Sequence, residues 1–413
     1  MKNIILITQF IFICYFTYSQ SDINIKKDSA VFKDYQPGYY ENSILRDVLN
    51  IEQKTIPHST KKYFVADYSN QKFPVDLSEY KTYWHNNPVS QGNTGTCWCF
   101  SATSFFETEI FRTTGQKIKL SEAYTFYWEY VERAIDFVKT RGKTFIAQGS
   151  EAKAVINIWE KYGIVPYSEY TGLIDGRKHH HHDLMFDKIK QYLEHIKETE
   201  QWNEKTVTTT VKSILNKYLG EPPSKILVDG NYITPVEFLN KNLKLKLNEY
   251  FSFMSLKKER YFEKHELIEP DNWRHDKDYY NIPLDDYFKL ITETIEKGYT
   301  ISICGDVSEP GLDKINEITK IPSFDIPSEY IDEDARQFRL SNYTTTDDHC
   351  LHIVGYSVYN DEYWFLIKDS GSRAFDGPNK GYMFYHEDYI RLKMMNILVH
   401  VDPARPVLDK IIK

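Results

Sequence analysis

Residues 91–101 read Gln-Gly-Asn-Thr-Gly-Thr-Cys-Trp-Cys-Phe-Ser and set the frame for interpreting the rest of this 413-residue chain. The two glycines predict a tight loop. The apolar residues after Cys97 recur at helical spacing and predict a helix from about 97 to 114, with Thr96 as a candidate N-cap. Cys97 therefore falls in the first helical turn, where free N–H groups and the helix dipole stabilise a thiolate.

Gln91 stands six residues before Cys97 and can turn its side-chain amide toward the same point. Together with the backbone N–H of Cys97, that amide would form an oxyanion hole. A lone cysteine beside Trp98 is more often a buried structural residue. A reactive thiolate also needs an imidazole partner and a group that orients the imidazole.

Both missing groups occur near the carboxyl end of the chain. His349 opens a predicted strand, and the next predicted strand, 363–368, is followed by Asp369. Since two adjacent strands joined by a short turn lie side by side, His349 and Asp369 are expected to meet. The sequence thus supplies Cys97, His349 and Asp369 for nucleophilic catalysis.

The periodicity of the chain changes from helical to extended at about residue 299. Helices are predicted first, at 97–114, 121–138, 151–162 and 287–297, with two more between 184 and 218. Strands follow at 299–304, 351–359, 363–368, 381–385 and 395–401. This order predicts an α+β fold with two lobes and one cleft between them.

At this point a family resemblance is apparent. The run from Gln91 to Ser101 resembles the signature of papain-type cysteine peptidases, and the later blocks keep the family's order: His349 to Tyr356, 368–370 and 381–382. Cys97 and His349 are 252 residues apart, more than is usual for papain-like enzymes, which indicates an insertion.

The insertion and several further blocks resemble the bleomycin hydrolase/aminopeptidase C branch. These blocks lie at 120–134, 160–166, 218–223, 305–308 and 345–349. The chain is accordingly divided into a signal peptide (1–19), an N-terminal wrapping segment (20–80), a helical catalytic lobe with the nucleophile (81–170), a mostly helical insertion (171–290) and a β-rich lobe with His349 and Asp369 (291–413).

The resemblance implies a papain-like two-lobe fold, with a helical lobe facing an antiparallel β lobe, and hydrolysis of peptide bonds without a cofactor or metal. It assigns Cys97 as nucleophile, His349 as acid and base, and Gln91 as oxyanion donor. Asp369 replaces the family's usual Asn, and Gly371 replaces a Trp, which is expected to open the His–Asp pair to water. The paired glycines that bind substrate backbone appear as Gly149 and Ser150.

Peptide substrates are expected, with aminopeptidase character. In the related branch the chain's own carboxyl end restricts substrates to free amino ends, and residues 403–413 are expected to contribute similarly here. Two alternatives stay open at this stage: a transglutaminase-like acyltransferase, which also uses Cys, His and Asp, and an inactive homologue that only binds peptides. The branch often forms ring-like assemblies, so a homo-oligomer is possible.

The charge and the amino end bear on partners and location. A formal charge of −8 and a pI of about 5.9 argue against a nucleic-acid partner. Residues 1–19 combine Lys2, an apolar run and small residues near Ser19, as secretory signals do. The mature protein is expected to be secreted or periplasmic and to have no membrane segment after cleavage.

Several neighbouring residues compete with these assignments. His352 is expected to pack behind the sheet, and Cys99 and Cys350 to be small buried residues, while a Cys304–Cys350 bridge is left open. The run His179 to His182 is expected to be a solvated loop rather than a metal site. Asp347 and Asp348 either recognise a substrate amine or cap a turn.

Overall fold

The computed structural model describes residues 27–52 and 61–411, so the expected signal peptide at 1–19 lies outside the described residues. Within the described ranges, no helix combines the length and the apolar character that crossing a bilayer requires.

Most of the long helices precede residue 300, as the sequence predicts. They are α1 (Arg46–Glu52), α2 (Cys97–Thr114), α3 (Glu122–Lys139), α4 (Ala154–Tyr162), α5 (Asp183–Glu198), α6 (Glu204–Leu219), α7 (Pro235–Glu237), α8 (Leu284–Glu296), α9 (Glu333–Ser341), α10 (Glu387–Lys393) and α11 (Val401–Ile411). Helix α2 has the predicted bounds because Gly115 adopts a left-handed conformation, with φ of 72°, and ends the helix.

The strands concentrate in the carboxyl-terminal half. They are β1 (Ser29–Asp34), β2 (Lys62–Asp67), β3 (Lys81–Thr82), β4 (Ile226–Val228), β5 (Asn231–Ile233), β6 (Tyr250–Met254), β7 (Glu263–His265), β8 (Tyr279–Asn281), β9 (Ile301–Gly305), β10 (Leu312–Asp313), β11 (Ile318–Thr319), β12 (His349–Tyr359), β13 (Glu362–Lys368), β14 (Tyr382–His386) and β15 (Met394–His400).

One large sheet forms the β lobe. Its strand order is β10-β11-β14-β13-β12-β9-β15-β6-β8-β7, and β3 pairs with β12 off this path. The pairs are antiparallel except for β11 with β14 and β6 with β8, which are parallel. Strands β6, β7 and β8 come from the segment 171–290, which the sequence predicts to be mostly helical.

Two apolar cores define the two lobes. One is built mainly from α2 to α6, around residues such as Trp98, Tyr127 and Trp159. The other covers the sheet and α8, around residues such as Leu351 and Ile397. Because helical and sheet layers are segregated in this way, the expected α+β fold is confirmed.

Helix α2 joins the lobes at the point where the site forms. It packs on β12 and β9. Ser101 Oγ donates to Leu351 O over 2.6 Å, and Ser104 Oγ lies 2.8 Å from His352 Nδ1. This packing brings the start of α2, at Cys97, beside the start of β12, at His349.

The carboxyl-terminal segment forms a helix on the far face of the sheet. Val407 and Leu408 are buried in the core that also contains α8, and Lys410 Nζ bonds Asp286 Oδ1 at 3.2 Å. The expectation that this tail restricts the cleft is therefore wrong for residues 403–411. Its apolar residues follow helical spacing and are buried against α8 and β6 instead.

Candidate active site

The nucleophile candidate stands where a loop turns into a helix. Cys97 is the first residue of α2 and is partly exposed, whereas Trp98 and Cys99 behind it are buried. Thr96 occupies the N-cap position, but its side chain makes no capping hydrogen bond and instead lies 2.6 Å from Thr94 Oγ1. Thr96 therefore leaves the N–H groups of Cys97 and Trp98 uncapped by a side chain, whereas the Cys99 N–H donates to Thr96 O at 2.9 Å.

His349 and Asp369 meet as their strands predict. His349 begins β12, Asp369 directly follows β13, and His349 Nε2 lies 2.7 Å from Asp369 Oδ1. With Nε2 engaged in this way, Nδ1 is the ring nitrogen left for Cys97, which is close enough for its charge to raise the pKa of His349. The structure brings the three predicted residues together in the order Cys97, His349, Asp369.

The electrostatics of His349 favour the imidazolium form. Burial on its own would lower the pKa of His349. The negative charges of Asp369 and of the Cys97 thiolate outweigh burial and raise that pKa well above its ordinary value. A thiolate–imidazolium pair is the resting state that nucleophilic attack by a cysteine requires.

Gly371 does not open this pair to water, contrary to the sequence-based expectation. The side chains of His349 and Asp369 are only 11% and 9% exposed. Gly371 donates its N–H to Asp369 Oδ1 over 2.6 Å, and a Cβ at this position would lie 3.1 Å from His349 Nε2. Because Gly371 has no side chain, its backbone packs directly against His349 and Asp369 and shields the two side chains from water.

Gln91 is buried in the loop that leads to Cys97. Its Oε1 accepts a hydrogen bond from Ser370 Oγ (2.7 Å), and its Nε2 donates to Thr94 O (2.7 Å). These two contacts settle which end of the amide is nitrogen and leave a second hydrogen on Nε2 without an acceptor among the described residues. That hydrogen can serve an oxyanion.

Gly149 and Ser150 lie beside Gly95, in the loop that precedes Cys97. Gln148 Oε1 accepts from Gly95 N at 2.9 Å, which ties the segment to the residues before Cys97. Ser150 Oγ donates to buried Glu129 Oε1 over 2.7 Å, so its side chain points away from the cleft. The Gly149 carbonyl accepts from the buried Arg133 guanidinium, so the pair offers a substrate neither the Ser150 hydroxyl nor an unengaged Gly149 carbonyl.

Asp347 and Asp348 have different surroundings. Asp348 accepts hydrogen bonds from the Val307 N–H at 2.9 Å and from the Ser308 hydroxyl, which holds a loop in place. Asp347 Oδ2 accepts from Asn396 Nδ2 at 2.9 Å and lies close enough to Cys97 for electrostatic interaction. Only Asp347 faces the site.

Three carboxylates that sequence reasoning missed accompany Asp347. Glu151, Glu269 and Asp271 are close enough to raise its pKa together with burial. Glu151 directly follows the Gly149–Ser150 pair. This position was the one feature of the sequence that could have indicated a carboxylate at the site. Within the described residues, no group of three or more His, Cys, Asp or Glu side chains could hold a metal ion.

The rival residues lie away from the reacting atoms. His352 is fully buried between β12 and α2, where its Nδ1 lies 2.8 Å from Ser104 Oγ, and burial lowers its pKa well below the ordinary value. Cys99 is fully buried, and burial raises the pKa of its thiol well above the ordinary value. Cys99 is the small buried residue that the sequence predicts. His352 is packed and hydrogen-bonded as predicted, but on the face of the sheet toward α2 rather than behind it.

Cys350 is buried, as the sequence predicts, and the bridge to Cys304 that the sequence left open is formed. The two residues are direct partners in the antiparallel register of β12 and β9. This disulfide lies next to His349, which pairs with Gly305 in the same ladder. The strand that presents the catalytic imidazole is therefore covalently joined to its neighbour.

The run His179 to His182 is not a solvated loop. His180 and His182 are buried, and both rings pack against Phe126. His180 O accepts from Asn93 N at 2.8 Å, so the run supports the loop that carries Gln91. Gly92, with φ of 71°, leaves no room for a Cβ against His180 O.

Comparison with known sequences shows the family of the chain. The model of the Peptidase C1-like family matches residues 48–407. Aminopeptidase C of Lactococcus lactis subsp. lactis (strain IL1403) is 24% identical over 405 residues, a match that covers 88% of this chain and 91% of the relative. Bleomycin hydrolase of Gallus gallus is 25% identical over 200 residues, covering 41% of this chain and 47% of the relative.

Comparison with solved structures supports the fold. The crystal structure of PepW from Lactobacillus rhamnosis HN001 matches with a TM-score of 0.64 and 18% identity, covering 81% of this chain and 84% of that one. The expected two-lobe α+β fold and the resemblance to the bleomycin hydrolase and aminopeptidase C branch are both confirmed.

Proposed function

Because the chain belongs to the Peptidase C1-like family, we propose that it is an exported cysteine aminopeptidase that releases residues from the free amino end of peptides through an acyl-enzyme. The observation that carries the mechanism is the position of His349, which lies between Cys97 and Asp369 Oδ1. With water as the second substrate, this arrangement supports hydrolysis of a peptide bond.

In the first half of the reaction, the Cys97 thiolate attacks the carbonyl carbon of the scissile bond. Negative charge moves onto the carbonyl oxygen, where the Cys97 N–H and the free Nε2 hydrogen of Gln91 stabilise it. The C–N bond breaks as His349 gives its proton to the leaving amine. A thioester on Cys97 and a shortened peptide result.

In the second half, neutral His349 takes a proton from water, and the resulting hydroxide attacks the thioester carbon. The C–S bond breaks, the free acid leaves, and the thiolate–imidazolium pair re-forms. Asp369 accepts the Nε2–H of His349 throughout, which keeps the imidazole oriented and its reacting nitrogen directed at Cys97.

The aminopeptidase assignment is supported by relatives named Aminopeptidase C that match along most of this chain. Its test compares leucine p-nitroanilide with the acetylated compound, using Cys97→Ala as control. We expect release from the unblocked compound only, and none by the variant. Equal release from both would replace the assignment with an endopeptidase. Transfer to an added amine without hydrolysis would favour an acyltransferase.

Export is supported by the composition of residues 1–19 and by the disulfide between Cys304 and Cys350, since disulfides persist mainly in oxidising compartments. The test is amino-terminal sequencing of protein recovered from the medium or periplasm. A mature chain that begins near residue 20 is expected. Retention of the intact chain in the cytoplasm would contradict export.

A further inference from the structure

The loop that leads to Cys97 has two ends, which lie against different parts of the chain. Gly95 packs against the segment 148–149, where a Cβ on Gly95 would lie 3.1 Å from the first side chain. Asn93 lies against the histidine run instead, since its N–H donates to His180 O at 2.8 Å. The loop therefore spans the cleft from one end to the other.

The leaving half of a bound peptide lies at the Asn93 end. In the proposed reaction His349 protonates the leaving amine, so the leaving peptide starts beside His349 and beside Gly371, which packs on that ring. The preceding residue, Ser370, is joined to Gln91 by two hydrogen bonds: its O accepts the Gln91 N–H at 2.9 Å, and its Oγ donates to Gln91 Oε1 at 2.7 Å. The leaving peptide therefore extends along Gln91 toward Asn93.

This end of the cleft is closed by a segment from the amino-terminal part of the chain, residues 38–49, which we call the N-terminal bridge. The Tyr40 hydroxyl donates to Asn93 Oδ1 over 3.3 Å. The Tyr39 ring stacks on Phe375, with ring centroids 4.9 Å apart. The bridge thus joins the two elements between which the leaving peptide extends.

The N-terminal bridge is held in place along its length. Ser43 Oγ lies 3.2 Å from His179 Nε2, and Asp47 Oδ2 accepts the N–H groups of Lys178 and His179 at 3.1 and 3.2 Å. Ile44 is fully buried. The histidine run therefore anchors the bridge, and a peptide that displaced it would have to break these contacts.

The chain itself limits the distance between the nucleophile and the N-terminal bridge. Asn93 stands four residues before Cys97, so their Cα atoms are separated by no more than about 14 Å. An extended peptide advances by about 3.3 Å per residue. The space between Cys97 and Tyr40 therefore accommodates about four residues of a leaving peptide.

We propose that the N-terminal bridge restricts the leaving group to about four residues, so that the substrates of this enzyme are short peptides. This inference rests on the proposed peptidase function and names the substrate class of the same site. Tyr39 and Tyr40 determine the limit, because their side chains contact the two walls of the leaving side. A longer leaving peptide meets these rings.

The test compares two unblocked peptide amides that share an amino-terminal leucine. One continues with a single Ala-Ser unit and the other with four such units, so the leaving groups have two and eight residues. The initial rate of leucine release is measured by mass spectrometry. We expect kcat/KM to be at least about tenfold lower for the longer amide. Equal or higher kcat/KM for the longer amide would overturn the inference.

The double variant Tyr39→Ala with Tyr40→Ala should reduce this difference to below about threefold by raising kcat/KM for the longer amide. Tyr232→Ala is the matched control, because it removes an exposed tyrosine from β5 and should leave the difference unchanged. If the double variant does not fold, the two single variants carry the test, and each should reduce the difference in part. An unchanged difference in the folded variants would overturn the inference.

The same peptides separate this inference from the proposed function. If the acetylated amides are cleaved as fast as the unblocked ones, the aminopeptidase assignment fails, and the two leaving groups still report the length limit. If no amide is hydrolysed, the peptidase proposal fails, and calorimetry with Cys97→Ala decides on the limit. Binding of the longer amide at least about tenfold weaker than that of the shorter one would support the limit. Equal or tighter binding would overturn it.

Discussion

His349 Nε2 lies 2.7 Å from Asp369 Oδ1, and this contact determines which nitrogen of the ring faces Cys97. Asp369 Oδ1 also accepts the Gly371 N–H at 2.6 Å, so the carboxylate is held by its own turn. Orientation needs only an acceptor oxygen, whereas the charge of Asp369 additionally raises the pKa of His349. The two contributions can be separated by substitution.

Asp369→Asn is expected to retain substantial activity and to change the pH profile. Because removal of the carboxylate charge lowers the pKa of His349, the imidazolium proton is lost at lower pH. The alkaline limb of kcat/KM should therefore move to lower pH. The measurement is kcat/KM on an unblocked peptide amide across the pH range.

Asp369→Ala is the comparison variant. It removes the acceptor as well as the charge, and a loss of about 10² or more in kcat is expected. Full activity of Asp369→Ala would mean that this residue does not orient His349 and serves only to hold the turn before Gly371.

Gln91→Ala should lower kcat by about 10²–10³, with a smaller effect on KM, because an oxyanion donor acts mainly in the transition state. Gln148→Ala is a matched control, since Gln148 bonds Gly95 N in the same loop system at 2.9 Å but donates nothing to the reacting carbonyl. The measurement is kcat and KM of both variants by steady-state kinetics. Equal losses in the two would indicate loop disruption rather than a missing oxyanion donor.

Glu151→Gln should stabilise the ligand-free protein, and more so at alkaline pH. The folded-state pKa of Glu151 is raised from 4.5 to about 8, so the folded state holds this proton more tightly than the unfolded state does. Stability from this group is complete below pH 4.5 and is lost as pH rises through 8. Glutamine does not titrate.

The gain for Glu151→Gln should be about 1 kcal/mol at pH 5 and on the order of 4 kcal/mol at pH 8. Urea unfolding at the two pH values measures it. A variant that is destabilised equally at both values would show that the Glu151 charge is compensated in the folded protein.

Removal of the disulfide by Cys304→Ala with Cys350→Ala should cost about 2–5 kcal/mol of unfolding free energy. Because β12 also pairs with β9 through its hydrogen bonds, kcat of the folded variant should change less than about tenfold. Urea unfolding of both proteins, with and without reductant, provides the measurement. Coincident unfolding curves for the oxidised parent and the variant would contradict a stabilising bond.

Local sequence patterns were sufficient to predict the parts of the site that depend on a single turn or a single pair of neighbouring strands. The start of α2 at Cys97 follows from the glycine loop before it, and its end follows from Gly115. The meeting of His349 with Asp369 follows from two strands that are neighbours in sequence. In such cases the interacting residues, or the elements that carry them, are close along the chain.

The features that could not be predicted from the sequence depend on contacts between segments that are distant along the chain. Strand β6 pairs with β15, which is about 140 residues later, so its short sequence carried no local indication of a sheet. Glu151, Asp271 and Asp347 come from three separate loops or turns, and only the folded chain brings them together. Cys304 and Cys350 likewise became partners through the register of β9 and β12.

The most direct test of the central claim, that His349 activates Cys97, is the alkylation of Cys97 by iodoacetamide at pH 6, followed by peptide mapping. Cys99 is the internal control, because its thiol is fully buried and burial raises its pKa. We expect Cys97 to be alkylated at least about tenfold faster than free cysteine, with peptidase activity lost in proportion, and Cys99 to remain unmodified. His349→Ala should abolish the enhanced rate. An unreactive Cys97 in the folded protein, or full peptidase activity after its complete alkylation, would contradict the account.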